Sequence, residues 1–267
     1  MIKKVGFIVG LAVLNAPSAW ASEFSASASV GVAAYSYEYS YPYEDYNGDN
    51  QISEYDEDID FSYQDFSIGF PNENGSSWSF KMGSGEDSNY SSSFDQSSAE
   101  REEYSVTYTQ AFSEKSSWFW GYYESYADLY HMRETDIFGI DYTFHFDTEI
   151  ETGGLFLGAS TNDTLNEYSS WYFRGALQVN WTDFSDGYRW ENENGESGGQ
   201  PFSKDLTGVA FLLGAGVYVP ITDAAGINFG LETKSYDYDN ELDAISEETT
   251  TLSENQTSLI VSLSLGF

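Results

Sequence analysis

The chain has 267 residues, with 44 Asp+Glu against 10 Lys+Arg, a formal net charge of −34 and no cysteine. So acidic a chain lacks the basic surface that nucleic-acid binding needs, and without cysteine it has neither disulfides nor thiolate-ligated metal. Aromatic residues make up 18% of it, too many for a disordered acidic segment, and a mean hydropathy of −0.44 excludes a bundle of transmembrane helices.

Residues 1–21 read MIKKVGFIVGLAVLNAPSAWA. Lys3 and Lys4 precede a short apolar run, and Ala19-Trp20-Ala21 is an A-x-A cleavage site. This is the pattern of a secretory signal peptide, with an apolar stretch too short to span a bilayer. The expected mature chain starts near Ser22, and nothing after it is a run of 18 apolar residues.

From Ser22 onward the hydrophobic pattern has a period of two, which argues for strands. In the first strand Ala26, Ala28, Val30, Val32 and Ala34 share one face. The second (59–70) and third (76–85) are joined by the turn Pro71-Asn72-Glu73-Asn74-Gly75, and Trp78, Phe80 and Met82 lie on one face of the third. Strands at 101–112 and 117–128 follow, with Tyr104, Val106 and Tyr108 outward on the former. The pattern then gives strands at 135–146, 150–160, 169–180, 206–219, 226–238 and 256–267, and a short, apolar-poor one at 184–190.

In the last strand Leu259, Val261, Leu263, Leu265 and Phe267 face one way and small polar residues the other. A terminal Phe267 on an alternating strand, with aromatics near both ends of many strands, resembles the C-terminal signal of Gram-negative outer-membrane β-barrels, which the barrel-assembly machinery reads. That resemblance implies an all-β chain: a single antiparallel transmembrane β-barrel over residues 22–267, in contact with outer-membrane lipid. About 12 strands are expected, with ten as the alternative, because both termini should be periplasmic.

With that orientation four long stretches fall outside the cell: 40–58, 86–100, 191–204 and 239–255. They hold 20 of the 44 acids. Hydrated acidic loops are the plain explanation; a cation-selective lumen and metal binding are the sharper ones. For the lumen, the strand phase points Lys81, Asp141, His145, Arg174, Glu232 and Lys234 inward. Both a salt-bridged plug and a narrow water-filled pore are compatible with that set.

Enzyme signatures are lacking. His145 and His131 have neither the serine two positions on that outer-membrane phospholipases and lipid A deacylases place beside their histidine, nor the Asp two positions before that omptin proteases use. His145 reads as a lumen residue and His131 as an exposed loop residue. Aromatic runs at Tyr35–Tyr46 and Trp118–Tyr123 read as girdle and strand-filling residues in preference to sugar platforms.

The first surface stretch, Asp45-Tyr46-Asn47-Gly48-Asp49-Asn50-Gln51-Ile52-Ser53-Glu54-Tyr55-Asp56, places oxygen side chains at EF-hand positions 1, 3, 5, 9 and 12. It resembles the D-x-N-G-D loops of dockerin-type modules. The resemblance implies one Ca²⁺ held by Asp45, Asn47, Asp49, Gln51 (through its carbonyl), Ser53 and Asp56, with a dissociation constant on the order of 10⁻⁴ to 10⁻³ M.

The functional expectation is a small porin-like channel for ions or small solutes with a cation bias. The alternative is a non-conducting surface or adhesion protein, and an enzyme is the third choice.

Overall fold

The computed structural model describes residues 24–44, 50–72, 75–88, 94–239 and 250–266. The expected signal peptide and Phe267 lie outside them. The described residues form ten antiparallel strands in one closed barrel: β1 (Ser25–Glu44), β2 (Asn50–Pro71), β3 (Ser76–Ser88), β4 (Gln96–Ala111), β5 (Ser116–Ile137), β6 (Ile140–Asn166), β7 (Ser169–Asn192), β8 (Ser197–Thr222), β9 (Ala225–Asp239) and β10 (Thr251–Gly266). Each strand pairs with its neighbours in sequence, and β1 closes the ring by pairing Ser25 with Gly266 through to Ser40 with Thr251. Closure pairs both edges of every strand, as a sheet must to satisfy its backbone in lipid.

Ten strands is the alternative count, and it arises by merging. The part of the expected strand 135–146 from Ile140 on and the expected strand 150–160 are one continuous β6, and 169–180 and 184–190 are one β7. The expected strand 135–146 instead bends through a two-residue turn. Phe138 and Gly139 both have positive φ (59° and 82°), the pattern of a type I′ hairpin, and Asp136 Oδ1 accepts from the Gly139 amide at 2.9 Å.

Parts of the four long stretches expected to be surface loops are strand as well. Residues 50–58, 96–100, 197–204 and 251–255 all belong to ladders. At the end holding Ser25 and Gly266, successive strands are separated by only a few residues (72–75, 112–115, 167–168 and 223–224).

Each strand carries two patterns in series. In the half near the termini the outward side chains are apolar: Val30 and Val32 on β1, Phe80 on β3, Leu155 and Leu157 on β6, Val209, Phe211 and Leu213 on β8, and Leu259 to Leu265 on β10. On β7 the apolar face runs from Trp171 to Trp181, about the 9–11 residues that a tilted strand needs to cross a hydrocarbon core. Aromatics border this belt. Trp78, Tyr108, Trp118 and Trp120 cluster toward the near end, with ring centroids 5.1–5.9 Å apart, and Tyr122 and Trp181, each followed two residues on by an outward acid, meet at 6.2 Å.

In the far half the outward positions turn acidic and the inward ones apolar. Glu38, Asp58, Asp60, Glu100, Glu102, Glu124, Glu151, Asp183, Asp205 and Asp237 form an exposed collar. Inside it, Tyr35, Tyr37, Ile59, Phe61, Leu129, Ile150, Phe184, Leu206, Tyr236 and Leu252 are almost completely buried. A wall facing lipid must be apolar outside; a wall facing water must be polar outside and is held together by an apolar interior. The inversion along each strand marks where one requirement gives way to the other.

The collar sets like charges directly opposite one another. Glu100, Asp128 and Glu149 form one cross-strand row over β4, β5 and β6, and Glu151, Asp183 and Asp205 another over β6, β7 and β8. Burial, and then Glu149, Asp147 and Glu100, raise the Asp128 carboxyl above its usual value. A carboxyl with a raised folded pKa binds protons more readily folded than unfolded, so stability falls as pH rises from the unfolded value of about 4 through the folded one. Asp128→Asn is therefore expected to stabilise the barrel at neutral pH by about 0.2–1 kcal/mol, the size of an opposed like-charge pair, and the gain should vanish below about pH 3, under the unfolded value. Urea unfolding at the two pH values checks this.

Candidate functional site

At the level of the inversion, inside the barrel, sits an ionic network, buried at Arg101, Glu103, Glu254 and Lys234 and partly exposed at Lys81 and Arg174. Arg101 on β4 donates from Nη1 to Glu254 Oε2 at 2.9 Å and from Nε to Glu103 Oε1 at 3.2 Å. Its guanidinium lies 4.8 Å from the centre of the Tyr35 ring, and Tyr35 OH donates to Glu254 at 2.6 Å. Lys234 on β9 donates to Glu103 Oε2 at 2.7 Å, and Arg174 on β7 pairs with Glu232. Lys81 pairs with Asp65 at 3.1 Å. Four cations meet four carboxylates, so the network has no net charge. Buried ions persist only when paired and hydrogen-bonded in this way.

Above the network is the apolar plug. Tyr37 and Tyr39 stack with centroids 6.2 Å apart, Tyr39 meets Phe184 at 5.0 Å, and Phe184 meets Phe202 at 6.1 Å. Asp186 is a polar node within it: Tyr39 OH and Thr148 Oγ1 donate to its two oxygens at 2.9 and 2.8 Å. Burial holds the Asp186 carboxyl above its usual value despite those bonds.

Below the network is a chamber of about 190 Å³, whose wall mixes serine and threonine hydroxyls with apolar faces such as those of Phe119, Phe156 and Tyr172. It reaches Thr161, Asn162 and Ser170 beside the β6–β7 turn and is partly open there. Several of its buried polar atoms have no partner among the described residues: Ser67 Oγ, Gln178 Nε2, Tyr218 OH and Asn228 Oδ1.

Of the expected lumen residues, Lys81, Arg174, Glu232 and Lys234 face this space. Asp141 and His145 do not. Both lie on the outward face of β6, in phase with Asp147, Glu149 and Glu151, and His145 Nδ1 is 2.8 Å from Tyr130 OH. The expectation takes the apolar face of 140–146 as outward; above the belt that face points inward. His131, expected to be exposed, is 2% exposed, on the inward face of β5 beside Tyr55 and Glu57. Desolvation lowers its pKa below the ordinary histidine value.

Arg101, Glu103, Glu254 and Asp65 are network members absent from the expected set. Arg101 and Glu103 are within reach of sequence reasoning, because outward Tyr104 and Val106 assign them to the lumen by alternation. Glu254 falls in a stretch that reads as loop.

Of the expected calcium ligands, Asp45, Asn47 and Asp49 lie outside the described residues. Asn50, assigned to the turn, and Gln51 to Asp56 belong to β2, where they pair with Glu44 to Glu38. That extended ladder, which holds Gln51, Ser53 and Asp56, differs from the wrapped loop that the spacing asks for. Among the described residues no group of three or more Asp, Glu or His is placed to hold a metal ion.

No protein-family model matches the chain. No curated protein matches it either. Among solved structures, the outer-membrane protease OmpT from Escherichia coli aligns with a TM-score of 0.59 at 11% identity, over 91% of this chain and 96% of that one. The translocator domain of the autotransporter NalP from Neisseria meningitidis aligns at 0.49 and 11% identity (89% and 88% covered), and the P. putida toluene transporter TodX at 0.40 and 11% (97% and 93%). The OmpT likeness is one of fold: a closed antiparallel β-barrel like those of the outer membrane.

Proposed function

We propose that the chain is an outer-membrane β-barrel with a closed lumen: a non-conducting protein that presents an acidic, water-facing wall outside the cell and keeps a polar chamber at its periplasmic end. The plug carries this reading. Nearly fully buried side chains from β1, β2, β5, β6, β7, β8, β9 and β10 meet across the lumen within the collar. A porin-like channel needs a continuous wet path, and a packed apolar interior offers none. The cation bias inferred from net charge also loses its place, since the acids of the collar point outward and the lumen charges are paired four to four.

The likeness to a protease brings no catalytic group with it. His131 is buried in the plug. His145 lines an outer-wall cleft with Asp147, Glu149 and Ser185, but Ser185 stands opposite Glu149, four residues along the ladder from His145, so no serine–histidine pair forms there, and we read the chain as non-enzymatic.

Planar bilayers are the test. Refolded protein that migrates as a folded barrel on unheated gels is expected to insert without steady conductance. Stable channels with a cation-selective reversal potential would restore the porin reading.

A further inference from the structure

We propose that the chamber beneath the ionic network binds one small, neutral, polyhydroxylated solute of about hexose size. Four side chains at its wall, Ser67, Gln178, Tyr218 and Asn228, are each more than nine-tenths buried, yet each keeps a polar atom without a partner among the described residues. Buried donors and acceptors left bare are costly, so something in the chamber meets them. They come from β2, β7, β8 and β9, so they converge on one space from different sides.

The set mixes a donor (Gln178 Nε2), an acceptor (Asn228 Oδ1) and two hydroxyls, and further serine and threonine hydroxyls lie around it. A polyol presents that same mixture at every carbon. The rings of Phe119, Phe156 and Tyr172 supply apolar faces for its C–H groups. The charges argue for neutrality. Lys81, Arg174, Lys234 and Arg101 already pair with Asp65, Glu232, Glu103 and Glu254; Arg174 Nε and Asp65 Oδ1 are also bare at the wall, but they carry opposite charges, so the lining offers an ionic ligand no net charge to meet. The volume holds on the order of a dozen waters, or one small solute in their place. Tyr172 lies over Gly230, where a Cβ would sit 2.6 Å from its hydroxyl. Gly230→Ala therefore displaces that hydroxyl, which Asn228 Nδ2 holds at the chamber wall.

The solute site depends on the closed-lumen reading only in that the chamber is a dead end. A conducting protein that still binds the solute would remove the closure and leave the site; silent bilayers without binding would do the reverse.

The experiment is isothermal titration calorimetry of the refolded mature barrel in detergent with D-glucose, D-galactose and glycerol, and with D-glucosamine and D-glucuronate as charged counterparts. Saturable binding of at least one neutral probe is expected, with the charged sugars weaker. Gln178→Met should weaken it about three- to tenfold, the loss of one neutral hydrogen bond, and Gly230→Ala should weaken it more. No saturable heat with any neutral probe overturns the proposal. So does unchanged affinity in variants that keep folded-barrel mobility, or tighter binding of a charged sugar. Should both variants fail to fold, the neutral-against-charged comparison on the unaltered protein still decides.

Discussion

Arg101→Met is expected to destabilise the barrel by about 3–5 kcal/mol, because it leaves Glu103 and Glu254 facing each other in a site closed to water. Arg101 is 2% exposed and holds both carboxylates while also donating to Tyr123 and Ser125. Lys234 can still neutralise Glu103, but Glu254 keeps only the Tyr35 hydroxyl among the bonds described. Replacing Arg101 together with Glu254→Gln should recover much of the loss, since the penalty is the stranded charge and the double variant lacks it. Urea unfolding followed by tryptophan fluorescence reads both. A loss below about 1 kcal/mol for Arg101→Met would mean that water reaches the network.

Phe184→Ala is the second large effect, about 3–5 kcal/mol for an aromatic removed from a packed interior. Phe184 is completely buried and meets both Tyr39 and Phe202. An outward residue on the same strand gives the contrast. Trp181 is half exposed at the belt rim, so Trp181→Phe should change stability little in detergent. The two results together separate a soluble-type core in the far half from a lipid-facing wall in the near half. Equal losses at both positions would contradict that division.

That division is also what the sequence conceals. Period-two alternation identifies the strands, and the near-half phase is right: Val30, Trp78, Tyr104 and Leu259 all face outward. Polarity reverses halfway along each strand while the phase continues. Asp56, Asp58 and Asp60 alternate with Tyr55, Ile59 and Phe61, which is a strand with its apolar face inward, but an acid-rich stretch next to a turn reads as a loop. The same reversal turns Asp141 and His145 to the face opposite the expected one and makes β6 and β7 each read as two strands.

The chamber is partly legible. Lys81, Arg174, Glu232 and Lys234 follow from phase alone, but which cation meets which carboxylate depends on strand stagger around a closed ring. Arg101 and Glu254 are 153 residues apart in sequence and meet only because β1 links β10 to β2.

The most direct test uses the absence of cysteine in the chain. Ala127, on β5, is fully buried in the plug, and Ser105, on β4, lines the chamber. Single variants Ala127→Cys and Ser105→Cys can be refolded and exposed to a small water-soluble methanethiosulfonate reagent, with modification read by mass spectrometry. A closed lumen predicts that Ser105→Cys is modified while Ala127→Cys stays unmodified until the barrel is unfolded. Modification of both at similar rates would mean that water runs through the plug, and the barrel would be a pore.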